Sequence, residues 1–384
     1  MDQDTARRLF EQGACLVILD APTGTEFGID LDTWETGPLF SGLKMIPPGM
    51  HYIHYSAKDS AHGATSMRSG RFRAFEAQEV VVWRWDAATE QLVEDSREAV
   101  ERIRANLRDL DPRLGAYPVG IARDGEPLGT SYTRWTRISC YVSASTVARV
   151  LPAGGSFSSA TGSVYEDEEM QQARKKLTAA NEPFMENSIP VDAADRFAFP
   201  LVDIRHSFPR NAAPEDIHKY IVDKTWLLRE MLRREWDGRA ELLLGEFQVA
   251  FLVVLVGQNF TGLEHWKRLM HLVLGSSSAL EDRDLVARLV VPLLHTMRGQ
   301  LDECPADFAS MVFDHSDSFI ASLLSSFVLS LYESPCENKE LDGVVSELRR
   351  FLAERFQWTL PSGKDLQEEA DIETGEYAPQ IVDL

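Results

Sequence analysis

Two periodicities divide the chain. Over about the first 150 residues, apolar positions fall in short blocks broken by glycine and proline, which is the texture of strands and turns. Ala14–Leu19 reads as a short buried strand, and Met50–Tyr55 and Glu79–Trp85 are strand-like by their β-branched and aromatic content. In the last of these, Val81, Trp83 and Trp85 share one face and Val80, Val82 and Arg84 the other. Two helices interrupt this region: Ser96 to Leu110, with Val100, Ile103, Leu107 and Leu110 at helical spacing, and Ser143 to Leu151, stopped by Pro152. From Pro214 to Trp358 the period changes to 3.6. The first helix there starts at Pro214 and carries an apolar stripe of Ile217, Tyr220, Ile221, Leu228, Met231 and Leu232. A buried helix spans about Ala240 to Val256, and Thr261-Gly-Leu-Glu264 is a capping box opening the next. Ser278-Ala-Leu-Glu281 is a second capping box, opening a helix that Pro292 kinks. Helices from Pro305, Ser316 to Glu333 and Glu337 to Phe356 bring the expected number to seven, an array with short loops and no repeat of fixed length.

These patterns predict an α+β multidomain protein. Residues 1–151 form a β-rich, sandwich-like N-terminal domain, and 152–211 a linker, partly disordered, with a Gly/Ser-rich stretch at 153–163. Residues 212–360 form an all-α C-terminal domain and 361–384 an acidic tail. The tail carries seven acids against Lys364.

Composition and charge narrow the function classes. Thirty-nine basic and sixty acidic residues leave a net charge of −21, which disfavours a phosphate backbone as partner and favours a basic protein surface. Cys15, Cys140, Cys304 and Cys336 are too scattered for a disulfide framework or a zinc site, and read as buried free thiols of a reducing compartment. The first 19 residues lack the form of a secretory leader, and the longest apolar run, Phe247–Val256, is too short to cross a bilayer. The expected location is cytoplasmic and nuclear.

The search for chemistry returns little. His51 and His54 are three apart, so in a strand they point to opposite faces and read as structural. No HExxH motif, EF-hand loop or Cys/His cluster is present, so neither metal nor cofactor is expected. Gly24-Thr-Glu-Phe-Gly28 is a turn, since Glu26 would repel a phosphate. Arg68, Arg71 and Arg73 with Phe72 and Phe75, and Arg134 and Arg137 around Trp135, could stack bases. In so acidic a chain, the three arginines of the first set read instead as a solvated strand face. A catalytic triad assembled from distant residues stays open as a rival.

One segment is more particular. Pro22-Thr-Gly-Thr-Glu-Phe-Gly-Ile-Asp30 leads into Trp34-Glu-Thr-Gly-Pro38, then Gly42-Leu-Lys-Met-Ile-Pro-Pro-Gly49, then His51 and His54-Tyr-Ser56. This block resembles the signature of the AAR-two family of splicing factors. Arg104–Leu107 with Leu114–Pro118, Leu244–Phe251, Glu264–Leu269, Pro305–Phe308 and Arg355–Trp358 resemble further segments of that family in the same order. The resemblance covers nearly the whole chain apart from the linker. It implies a β-rich N-terminal domain, a helical C-terminal domain similar to VHS superhelices, and no enzymatic activity. It also implies a role in assembling the U5 small nuclear ribonucleoprotein. The implied partner is the large U5 scaffold protein, bound at its RNase H-like domain and in some members also at its Jab/MPN-like domain, with neither nucleic acid nor membrane contacted. The bound factor keeps the RNA helicase of the particle from docking, and phosphorylation promotes release in some members.

Family tails carry a short β-prone run that adds a strand to the partner's sheet. Here Ala378, Pro379, Gln380, Ile381, Val382, Asp383 and Leu384 are the candidates. Ser276, Ser277 and Ser278, before a helix start, are candidate phosphorylation sites that otherwise serve as N-caps. Trp34 and Trp266 read as core. The turns between Pro22 and Gly49 either present a binding loop or brace the β-domain. The rival reading of the helical part is a VHS-like peptide-binding trafficking adaptor.

Overall fold

The computed structural model describes residues 11–57, 67–118, 130–164, 193–305, 319–333 and 338–361. The chain is β-rich in its N-terminal region and helical in its C-terminal region, an α+β architecture. It divides into two compact units, Met1–Leu201 with Gln248–His265, and Val202–Phe247 with Trp266–Leu384.

The first unit holds two five-stranded sheets. β1 (Ala14–Leu19), β4 (Gly42–Ile46), β7 (Val80–Asp86), β8 (Gln91–Glu94) and β9 (Gly115–Ala116) form one, in the order β8-β7-β1-β4-β9. The other, in the order β10-β6-β5-β2-β3, comprises β2 (Glu26–Ile29), β3 (Asp32–Glu35), β5 (Gly49–Ser56), β6 (Ser69–Phe75) and β10 (Ser156–Ser158). β1 is apolar throughout because both its faces are covered. Leu16 and Ile18 join Val81, Trp83 and Trp85 in the core that also takes Phe27, Ile29, Ile53 and Tyr55 from the second sheet. Val17, Val80 and Val82 face the other way, onto Val100 and Ile103 of α1 (Arg97–Ala105) and Leu107 and Leu110 of α2 (Leu107–Leu110). The two faces read from the alternation in Glu79–Trp85 are those observed.

The outer face of the second sheet is aromatic. Tyr52 packs against Phe72 and Phe157 at 4.8 and 5.4 Å between ring centroids, and the series continues through Phe197 and Phe199 to His265 at 5.3, 5.3 and 4.4 Å. Phe157 lies in β10 and Phe197 and Phe199 are buried, so the ends of the stretch expected as a linker belong to the packed unit. Three paired residues are too few to show a strand period, so only the aromatics could have marked them. Residues 248–265 pack here too: Asn259 Nδ2 donates to the Ser158 and Thr161 carbonyls at 2.9 and 2.7 Å, and a Cβ on Gly257 would lie 2.4 Å from the Phe157 ring. α3 (Thr130–Ser139), which the alternating aromatics and arginines concealed, places Trp135 in the interior, where its indole N–H donates to the Met50 carbonyl at 2.9 Å. Phe72, Phe75 and Trp135 are therefore core rather than stacking surface. The arginines interleaved with the two phenylalanines are not solvated as expected. Arg68, Arg71 and Arg73 pair with Glu26, Glu94 and Glu79, and their side chains are only 15%, 25% and 25% exposed.

The second unit is helical. The stripe expected as one helix from Pro214 is two, α5 (Ile217–Val222) and α6 (Thr225–Glu235). The Asp223 carboxylate accepts from the Thr225 N–H and hydroxyl at 3.0 and 2.6 Å, which ends one helix and starts the next. Downstream lie α7 (Ala240–Leu255) and α8 (Thr261–Leu274), which belong to this unit up to Phe247 and from Trp266, then α9 (Val291–Glu303), α10 (Phe319–Glu333) and α11 (Lys339–Phe356). The capping box at Ser278 opens a 3₁₀ turn, Ser277–Glu281, instead of an α-helix. The expected disturbance at Pro292 appears as a π-helical turn over Val286–Val290, which relieves the clash of the proline ring with the preceding turn. Two buried indoles of this unit find acceptors, Trp236 at Glu246 and Trp266 at Gln300, each at 2.9 Å. Of the expected thiols, Cys304 is buried but Cys140 is exposed, its sulfur accepting from Gln248 Nε2 at 3.4 Å; Cys336 and the expected helix start at Pro305 lead into residues outside those described. No described helix is long and apolar enough to cross a membrane.

His54 generates a pH prediction. It is flanked on the sheet by Gly28 and Gly70, and a Cβ on Gly28 would sit 2.2 Å from its ring. Neither ring nitrogen has a hydrogen-bond partner within normal geometry. Burial, and then the charge of Arg68, push the imidazole down to about 3. The unfolded chain protonates this histidine near its ordinary value and the folded chain does not, so stability is lost as pH falls from about 6.5 toward 3, by about 1.4 kcal/mol per pH unit. Denaturant unfolding at stepped pH should show this acid limb, and His54→Gln should flatten it relative to the unsubstituted chain.

Candidate interaction site

The signature block folds into β2 to β5 and is built around one carboxylate. Asp30 closes the β2–β3 turn with φ of 57°, a conformation that Asp tolerates because its short side chain can bond locally. Its main chain and side chain both grip β5: Asp30 N–H donates to the Tyr52 carbonyl at 2.7 Å, and Asp30 Oδ1 accepts from the Tyr52 N–H at 3.0 Å. Oδ2 meets His51 Nδ1 at 2.6 Å and accepts from the Tyr117 hydroxyl at 2.5 Å. Burial, reinforced by the Asp30 charge, drives the Tyr117 phenol far above its ordinary range, so it stays protonated and donates. His51 Nε2 donates to the Pro47 carbonyl at 2.8 Å. The imidazole is stacked on Tyr132 and Trp135 and meets Tyr117 and Phe75 edge-on, in a box of four rings. Asp30 and His51 are 1% and 0% exposed.

This arrangement resembles two members of a triad but differs in its use. The nitrogen that would serve a nucleophile is committed to Pro47, so the His–Asp pair ties strands together. The residues Asp30 and Tyr117 lay within the family-like segments of the sequence, yet nothing local marked them as partners. Among the described residues no group of three or more His, Cys, Asp or Glu is placed to hold a metal ion.

The loop between β3 and β4 is braced at its base and open at its tip. Thr25 and Thr36 hydroxyls both donate to the Pro22 carbonyl, at 2.8 and 3.0 Å, and Gly24 N–H donates to the Thr36 carbonyl at 2.8 Å. Beyond the brace, Gly37, Pro38 and Leu39 are exposed, Leu39 at 69%. Of the two readings left open for these turns, bracing describes the base of the loop, while the tip is exposed. Trp34 is half-buried against Phe27, and Trp266 is fully buried.

The three serines occupy different environments. Ser276 is buried and its hydroxyl donates to the Leu272 carbonyl at 2.7 Å. Ser277 is half-buried and begins the 3₁₀ turn, and Ser278 is exposed. Burial raises the Asp223 carboxyl, but hydrogen bonds from the Ser278 side chain and main chain and from Thr225 outweigh this and hold it below its ordinary value. Ser278 is thus a donor to the carboxylate that separates α5 from α6. The tail candidates Ala378 to Leu384 lie outside the described residues.

A two-part protein with a signature-built β unit and a helical unit is the class defined so far. Comparison with known proteins makes it specific. The family model described as "AAR2 N-terminal domain" matches residues 12–152, and that described as "AAR2 C-terminal repeat region" matches residues 199–361. Proteins called "Protein AAR2 homolog" from Mus musculus and Homo sapiens are each 31% identical to this chain, over 100% of it and 97% of their own length. The protein of that name from Caenorhabditis elegans is 28% identical over 91% of this chain and 95% of its own. The chain belongs to the AAR2 family, the one its signature resembles.

Two outcomes follow from this geometry. Asp30→Asn puts an amide NH2 in place of one of the two buried oxygens that meet Tyr52, Tyr117 and His51, and should cost about 3–5 kcal/mol in denaturant unfolding, whereas Tyr117→Phe, which removes one donor, should cost about 1–2 kcal/mol. Ser278→Asp sets a second carboxylate against Asp223, and should lower the melting temperature where Ser277→Asp does not.

Proposed function

We propose that this chain is a non-enzymatic splicing factor that assists U5 small nuclear ribonucleoprotein assembly, and so formation of the larger tri-particle. It does so by binding the RNase H-like region of the large U5 scaffold protein and holding off the RNA helicase until maturation. The observation that carries this reading is membership of the AAR2 family over both matched regions. The partner includes the scaffold's Jab/MPN-like domain if the tail strand Ala378–Leu384 adds to a sheet there. A net charge of −21 supports a partner whose contacted surface is basic and otherwise reserved for RNA, with association that is fast and sensitive to salt. The exposed tip Gly37–Leu39 supports a role for the signature loop in the contact, since an apolar side chain exposed beyond a fixed base costs little entropy to dock. Release by phosphorylation fits Ser278 better than Ser276, because a kinase reaches an exposed hydroxyl, and a phosphate beside Asp223 would unseat the α5–α6 junction. The protein works without cofactor, in cytoplasm and nucleus.

Calorimetric titration of the full chain into the recombinant RNase H-like domain tests this directly. One-to-one binding that weakens about tenfold or more between 50 and 200 mM salt is the expected result. Leu39→Asp should weaken binding at least fivefold without changing the melting temperature, and removal of 361–384 should weaken it further. Absence of heat at micromolar concentrations, with either scaffold domain, would sink the proposal.

A further inference from the structure

The two sheets of the first unit end beside each other at a cleft. Its lining includes all of β8 (Gln91–Glu94), together with Tyr55, Arg71, Ser156 and Asp195, and its volume is about 800 Å³. β8 is the outermost strand of one sheet and β10 of the other. The hydrogen-bond register decides which edge is open. Asp95 N–H donates to the Val82 carbonyl, so in the antiparallel β7–β8 pair the bonded residues are Val93 with Arg84 and Gln91 with Asp86. The main-chain groups of Leu92 and Glu94 therefore point away from β7. The Leu92 N–H is taken by the Tyr55 hydroxyl at 3.0 Å. Among the described residues, the Leu92 carbonyl and the Glu94 N–H and carbonyl have no main-chain partner. The outer edge of β10 differs, since Ser158 N–H donates to the Thr161 hydroxyl and its carbonyl accepts from Asn259.

Charge restricts what fits. Arg71 enters the cleft already held: its guanidinium donates to Glu94 at 2.8 Å and to the Ser156 hydroxyl at 2.8 Å, and stacks over Trp83 at 5.5 Å. Glu94 neutralises it; Arg73, 3.5 Å from the same Glu94 oxygen, has its own partner in Glu79 at 2.6 Å. Asp195, exposed in the lining, has no ion-pair partner among the described residues. The uncompensated charge of the cleft is therefore negative, in a chain that is itself strongly acidic.

We propose that β8 accepts a strand: an extended, basic segment of a partner protein adds alongside Leu92–Glu94, bonding to the Glu94 N–H and carbonyl and the Leu92 carbonyl, with a lysine or arginine placed against Asp195. This is strand addition at a sheet edge, in which the main chain supplies the binding and alternate side chains the selection. It is independent of the scaffold reading above, in which the tail of this chain would give a strand to its partner; here the β unit takes one.

The test pans a displayed library of random decapeptides on the full chain and measures the enriched clones on variants. Glu94→Pro removes the outward N–H at a position where an edge strand tolerates proline, and Ala153→Trp fills the cleft without altering the edge. The expected result is clones with a β-prone centre and lysine or arginine, weakened at least tenfold by either variant and about threefold by Asp195→Asn. Glu94→Gln, which keeps the N–H, should weaken them less than Glu94→Pro. Clones indifferent to both Glu94→Pro and Ala153→Trp, or none at all, would overturn the proposal. So would a dimer of the chain that Glu94→Pro dissolves, which assigns the edge to a second copy. A tenfold gain in clone affinity on removing 362–384 would equally overturn it, by assigning the edge to the tail of this chain.

Discussion

The Asp30 carboxylate is the point on which the β unit depends. It lies in a turn, in a left-handed backbone conformation, and almost wholly out of water. That combination is stable only because the Tyr117 hydroxyl and the Tyr52 N–H donate to it and His51 Nδ1 hydrogen-bonds with it. The same bonds fix the β2–β3 turn to β5 and draw in the chain after β9 through Tyr117. His51 then passes the constraint to the loop before β5 through Pro47 and to α3 through the ring stack with Trp135. Four segments distant in sequence are held by one group. The density of recognisable residues between Pro22 and Ser56 has a physical cause: few substitutions leave a buried polar group satisfied.

A second consequence concerns the far side of the same sheet. Gly28 and Gly70 leave room for His54 and Tyr52, whose rings begin the aromatic series that ends at His265. Residues 248–265 close that face, so chain that is helical by pattern belongs by packing to the β unit. The division into β-rich and helical parts is a division of secondary structure, and the compact units do not follow it along the chain.

The sandwich is unevenly protected. β10 has its outer groups occupied by Thr161 and Asn259, while β8 relies on a tyrosine hydroxyl and a glutamate–arginine pair. A short edge strand bearing charge is a common guard against unwanted pairing. In β8 the guard is partial, because the charge that would repel another strand is spent on Arg71.

The sequence by itself determined the features that depend on neighbours a few residues away. The alternation in Glu79–Trp85 assigned both faces of β7 correctly, because a strand's side chains alternate whatever lies opposite. The odd spacing of His51 and His54 placed them on different faces for the same reason. Helical period and caps located α1, α4 (Ala144–Val150), α8 and α11, and the Pro22–Ser56 block was enough to indicate the family. Only the tertiary structure decided what depends on distant partners. Nothing local says that Asp30 meets Tyr117, or that Arg71 pairs with Glu94. The break at Asp223 and the burial of Phe157, Phe197 and Phe199 also follow from contacts that a period cannot encode. A buried polar group is stable only with its partners in place, and those partners come together through the path of the whole chain.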